Sequence, residues 1–94
     1  MIVLVYQILF SRRAKKDLLG FPQEQRIRIE IALKQFAENP DLRHDVVKIK
    51  DSHKKNPRYR LRIGEYRATF FIHHDILIIE IITIGKKKNF DYTG

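Results

Sequence analysis

Tyr59-Arg60-Leu61-Arg62-Ile63-Gly64-Glu65-Tyr66-Arg67-Ala68-Thr69-Phe70-Phe71-Ile72-His73 alternates apolar and polar side chains on both sides of a central Gly-Glu pair. A strand sends successive side chains to opposite faces, so Tyr59, Leu61 and Ile63 share one face and Arg58, Arg60 and Arg62 the other. Gly64-Glu65 is a two-residue turn signal. Beyond it Tyr66, Ala68, Phe70 and Ile72 stand opposite Arg67, Thr69 and Phe71. The stretch therefore predicts a hairpin with one apolar and one cationic face.

Reading outward, His74-Asp75 gives a tight connection to Ile76–Ile84, a run that is apolar apart from Glu80. Such a run suits a central strand covered on both faces. Within it, Glu80 is expected to pair with an arginine of a neighbouring strand. Gly85 and Lys86 to Lys88 end the strand, and Asn89-Phe90-Asp91-Tyr92 forms a short tail. On the other side, Val46, Val47 and Ile49 can make a short extended piece before a loop from Asp51 to Pro57.

The first forty residues supply the cover. Ile2–Leu9 is rich in β-branched and aromatic residues and reads as a strand. Ser11 can cap a helix over Arg12–Leu19 that Gly20 closes. Pro22 suits the first turn of a second helix, which runs to Glu38 and stops at Asn39-Pro40. Ile29, Ala32, Leu33, Phe36 and Ala37 line one face of it. Ile27 and Ile31 make a second apolar spot, expected to pack on the first helix. The fold class is α+β: one domain over residues 1–94, in the order β-α-α-β-β-β, with an antiparallel sheet and two helices on one face. Two helices cover only one face, so the other is left open with Arg60, Arg62 and Arg67 on it.

Composition narrows the chemistry. The 94 residues carry a formal charge of +8 and no cysteine, which removes disulfides and thiolate zinc sites. A bilayer span needs about 20 apolar residues, longer than any run here, so no membrane association is expected. The opening MIVLVYQILF lacks the basic flank and small-residue cleavage site of a signal peptide, which points to a cytoplasmic protein. The excess charge is clumped at Lys54, Lys55, Arg58, Arg60, Arg62 and Arg67, and again at Lys86, Lys87 and Lys88. Clusters of this kind attract polyanions, though they also serve solubility or an acidic protein partner. Lys54, Lys55, Arg58, Lys86 and Lys88 are accordingly candidate RNA contacts.

HExxH, GxxxxGK[ST] and GxGxxG are all missing, and serine occurs only at Ser11 and Ser52. His73 and His74 are adjacent on a strand and point apart, while His44 and His53 fall in loops, so chelation is not expected. Neither a metal nor a cofactor is implied. What is plentiful is fixed cationic hydrogen-bond donors beside tyrosine. That inventory suits cleavage of RNA by its own 2′-hydroxyl, where the protein aligns the nucleophile and stabilises charge on phosphorus. Arginine forks engage phosphate oxygens in two places, a lysine among other cations can relay protons, and tyrosine can stack on an unpaired base. The same residues would also serve RNA binding without chemistry.

Tyr59-Arg60-Leu61-Arg62-Ile63-Gly64-Glu65-Tyr66-Arg67, the hairpin and Ile84-Gly85-Lys86-Lys87-Lys88 together resemble the RelE/ParE toxin superfamily, and the two N-terminal helices agree. The resemblance spans nearly the whole chain. It implies the toxin of a type II toxin–antitoxin system: a ribosome-dependent endoribonuclease that cuts mRNA in the A site without a metal. It further implies an acidic RelB-like antitoxin as partner, besides ribosome and mRNA. Carried over by position, the catalytic set is Arg60, Arg62, Arg67, Lys87 and Tyr92, with Arg67 on the scissile phosphate and Tyr92 stacked on a base. The superfamily usually has arginine where Lys87 stands; lysine keeps the charge and loses the fork. Lys86 or Lys88 can share that role, and Phe90 can replace Tyr92 as the stacker. Two other readings share these features: a ParE-like inhibitor of DNA gyrase, and a catalytically silent RNA- or protein-binding module.

Overall fold

A computed structural model describes residues 5–40, 46–49 and 55–87. The elements are β1 (Gln7–Phe10), α1 (Arg12–Leu19), α2 (Gln23–Glu38), β2 (Val46–Lys48), β3 (Tyr59–Ile63), β4 (Tyr66–His73) and β5 (Ile78–Lys86). The five strands form one sheet in the order β1-β5-β4-β3-β2.

Both helices are built as their sequence dictates. The Ser11 hydroxyl accepts from the Ala14 amide at 3.0 Å, capping α1. Gly20 ends the helix, its amide donating to the Asp17 carbonyl at 3.1 Å. Pro22 precedes α2 as its N-cap rather than lying inside the first turn. Ala14 and Leu18 of α1 join Ile29, Leu33, Phe36 and Ala37 of α2 in the core. Against them lie Leu61 and Ile63 of β3, Tyr66, Ala68 and Phe70 of β4, and Ile79, Ile81 and Ile84 of β5. Phe36 and Phe70 meet edge to face, their ring centres 5.2 Å apart, across the helix–sheet boundary.

The three antiparallel strands expected after the helices are present, and the extended piece at Val46 becomes a fourth, pairing Val46 with Leu61. The sheet is mixed rather than wholly antiparallel. β1 lies parallel to β5, with Gln7 opposite Ile78 and Phe10 opposite Ile81. The two helices carry the chain from β1 to β2 at the far edge, and β2-β3-β4-β5 then returns strand by strand to lie beside β1. β1 also begins later than the sequence suggested, and the part of that expected strand over 2–4 lies outside the described residues.

β5 differs from its sequence reading in an instructive way. Leu77 has φ 54°, in the left-handed region, so the hairpin turn is wider and the strand starts at Ile78, leaving Ile76 59% exposed. The continuous apolar run is not buried on both faces. Instead the register slips between Thr69 and Phe70, opposite Thr83 and Ile81, which leaves Ile82 as an extra residue. This bulge switches phase, so Ile79 and Ile81 before it and Ile84 after it all reach the same core. The Ile82 carbonyl accepts from the Ser11 hydroxyl at 2.7 Å, and Asp17 Oδ2 accepts from the Ile84 amide at 3.0 Å. Helix α1 thereby satisfies the edge of β5 where β1 has ended.

Two further expectations are corrected. Ile27 and Ile31 do not pack on α1; they are 49% and 52% exposed on the outer side of α2. Glu80 pairs with a histidine rather than an arginine, its Oε1 lying 3.1 Å from His73 Nε2. His73 stands two residues along the same face of β4 from Phe71, the direct partner of Glu80, and is nearer than the arginines at the other end of the sheet.

Candidate functional site

Strand phase and register build the site. On the face away from the helices, Arg60, Thr69 and Thr83 form one cross-strand row, and Arg62, Arg67 and Gly85 form the next. Arg62 and Arg67 are direct partners in an antiparallel pair, which brings their Cβ atoms to within about 5 Å. Gly85, the direct partner of Arg67 on β5, adds no side chain to the row. Arg62 is exposed, Arg60 and Arg67 are half-buried, and Thr69 is buried between its neighbours.

The β3–β4 turn fixes one of these cations. Arg67 Nη1 donates to the Gly64 carbonyl at 3.0 Å and to the Tyr66 carbonyl at 2.9 Å. The guanidinium is thus held at the turn by one nitrogen, and Nε and Nη2 carry its three other N–H donors. Gly64 has φ +59°, a conformation that favours glycine, so the turn needs this residue. Lys87 arrives from the other side. Its amide donates to the Glu65 carbonyl at 2.7 Å, which pins the residue after β5 against the same turn.

Arg60, Arg62, Arg67 and Lys87 are therefore brought to one end of the open face. Other expected residues are not. Lys86 pairs with Tyr66, and alternation puts its side chain on the helix side, opposite to Arg67. Arg58 stands four residues back from Arg62, about 13 Å along the strand, and Lys55 precedes it; both are exposed. They extend the cationic surface away from the turn. Lys54, Lys88 and Tyr92, with the alternative stacker Phe90, lie outside the described residues.

One neighbour of the turn was not legible in the sequence. A Cβ placed on Gly64 would stand 3.7 Å from Nη1 of Arg28, an exposed residue of α2. Helical spacing groups Arg28 with polar surface residues, and no local signal links position 28 to position 64.

At the opposite end of the face His73 bonds Glu80, and Tyr6 Oη lies 2.6 Å from His74 Nδ1. Among the described residues, no group of three or more His, Cys, Asp or Glu could hold a metal ion. No helix among them is long and apolar enough to cross a membrane.

No family model matches the chain. It is, however, 30% identical over 89 residues to Toxin RelE3 of Methanocaldococcus jannaschii, covering 92% of this chain and 97% of that one. The chain belongs to the RelE toxin family. Solved structures agree on the fold. The RelE–RelB complex from Pyrococcus horikoshii matches with a TM-score of 0.74 at 21% identity, over 88% of this chain and 96% of that one. The RelB–RelE antitoxin–toxin complex from Methanococcus jannaschii matches with a TM-score of 0.66 at 28% identity, over 92% and 99%. The family resemblance of the hairpin thus holds over the whole fold of this RelE-type toxin.

Proposed function

We propose that this RelE-family toxin is a ribosome-dependent endoribonuclease that cuts mRNA in the A site. The observation that carries the reading is the pairing of Arg62 with Arg67 on the sheet face opposite the helices, beside a turn to which Lys87 is tied. Like charges directly opposite on a sheet are destabilising, and an anionic ligand between them reverses the sign. Arg67 presents Nε and Nη2 while Nη1 is held by the turn, so its fork is aimed before the substrate arrives.

In the proposed reaction the RNA 2′-oxygen attacks the adjacent phosphorus, forming an O–P bond as the bond to the 5′-oxygen breaks. The products are a 2′,3′-cyclic phosphate and a 5′-hydroxyl. Arg60, Arg62 and Arg67 stabilise the extra charge on the pentacoordinate phosphorus. Lys87 moves a proton between the 2′-hydroxyl and the departing oxygen. Tyr92 is assigned the base-stacking role that turns the 2′-oxygen into line. Lys55 and Arg58, with Lys54 and Lys88, lead the strand toward the site; Lys86, on the helix side, takes a lesser part. Each assigned group acts as a cation, a proton carrier or a stacking surface, and no step requires a metal.

The partner is proposed to be an acidic RelB-like antitoxin. RelE proteins of P. horikoshii and M. jannaschii are found in complexes with RelB. Here the charge of +8 and the exposed Ile27 and Ile31 offer both electrostatic and apolar ground for such a segment. The cytoplasm is the compartment this function requires.

Incubation with programmed ribosomes and mapping of the 3′ ends tests the activity. Cuts at the A-site codon are expected, ending in cyclic phosphate. Intact message at excess protein would overturn the reading, and RNA binding without scission would leave a silent binding module in its place.

A further inference from the structure

We infer that Arg28 of α2 is a further phosphate-binding residue of this site, gripping a second phosphodiester of the bound RNA. The inference rests on the RNA reading above and extends it from the sheet face around the β3–β4 turn to the helix layer.

Gly64 is where the helix layer and the hairpin turn meet. Its carbonyl accepts from Arg67 Nη1 at 3.0 Å, and its missing Cβ would lie 3.7 Å from Arg28 Nη1. One glycine is thus bordered by guanidinium groups from two different layers, β4 and α2. Arg28 is exposed, and among the described residues it makes no hydrogen bond or ion pair. Glu24 lies one turn earlier on the same helix, at the spacing where an ion pair could form, and the side chain reaches the turn instead.

Two cations bordering one residue repel each other, and the repulsion is relieved when anions occupy the space beside them. A nucleic-acid strand presents its charges in series, one per nucleotide, whereas a lone phosphate would meet only one of the two forks. A strand whose scissile linkage sits at Arg62 and Arg67 must leave the sheet face somewhere. Around Gly64 it meets no side chain at that position, and Arg28 lies beyond. An acidic protein segment could also meet Arg28, but the continuity with Arg67 favours RNA.

The test is titration of the full-length protein with a single-stranded oligoribonucleotide, and separately with programmed ribosomes, at several salt concentrations. Arg28→Ala should weaken oligonucleotide binding about fivefold and shallow the log–log salt slope by about 0.7, the loss of one single-strand phosphate contact. Arg28→Lys should keep most of the slope. A loss seen with the oligonucleotide assigns the phosphate to the cleaved strand; a loss seen only on ribosomes assigns it to ribosomal RNA. Unchanged affinity and slope in both arms would overturn the inference. Arg67→Ala, run in parallel, separates the two levels. If it weakens RNA binding and Arg28→Ala does not, Arg28 alone is misassigned; if neither does, the RNA reading fails with it.

Discussion

Arg62 of β3 faces Arg67 of β4 across the hairpin as its direct cross-strand partner, on the side of the sheet the helices leave uncovered. A fold selected only for stability would place an acid or a threonine opposite an arginine there. The repulsion in this pairing is eased by two carbonyl dipoles of the turn, which accept from Arg67. The pairing also leaves the hairpin poised for an anion.

Arg67→Ala should slow message cleavage by about 10²- to 10³-fold, the usual loss when one transition-state donor is removed. One of the two hydrogen bonds it loses is exposed and the other part-buried, so unfolding free energy should fall by about 1 kcal/mol. Primer extension on programmed ribosomes reads the first quantity and urea denaturation the second. A variant that is unfolded, or one that cuts at the wild-type rate, contradicts this account.

Lys87→Arg should lower the cleavage rate at least about tenfold, because a guanidinium keeps its proton and cannot relay one. The backbone at this position is pinned by the Glu65 carbonyl, so the longer planar fork would be delivered to the same place. Single-turnover rates of the two proteins on the same ribosomal complex decide it. An unchanged or raised rate would mean that grip, rather than proton transfer, is what lysine supplies.

Gly64→Ala forces a left-handed backbone on an L-residue and should cost about 1–2 kcal/mol. The asparagine variant should cost less, since its side chain tolerates that region. Chemical denaturation of both proteins against wild type checks the order. Equal stabilities would show that the turn relaxes to another conformation.

Ser11→Ala removes two bonds from one hydroxyl: the cap of α1 and the tie to the bulge carbonyl at Ile82. A loss of about 1–2 kcal/mol is expected, with cleavage at permissive temperature unaltered. Thermal melts and the ribosome assay together test that separation of stability from activity.

The hairpin was legible because its signal is local. A strictly alternating run and a second alternating one flank a turn pair, which is enough to put Arg60, Arg62 and Arg67 on one face. The helices were legible through Ser11, Gly20 and Asn39-Pro40, which mark their ends chemically. Relationships between distant residues were not. The parallel pairing of β1 with β5 joins positions some seventy residues apart, and no pattern within either strand encodes a direction. The apolar run of β5 looked doubly buried because a bulge and a phase switch leave the same composition as two covered faces. Glu80 found His73 rather than an arginine, and Arg28 reached Gly64, through packing that periodicity does not describe.

The position of β5 between β1 and β4 has a consequence for the making of this toxin. Domains emerge from the ribosome N-terminal end first, and non-local strand pairing must wait for its partner. The β3–β4 hairpin can close early, but until β5 is inserted β1 has no neighbour and the helices have no complete floor to rest on. Lys87 follows that same late strand. A nascent chain therefore keeps an unfinished core until β5 has been made, and Lys87 reaches the β3–β4 turn only then.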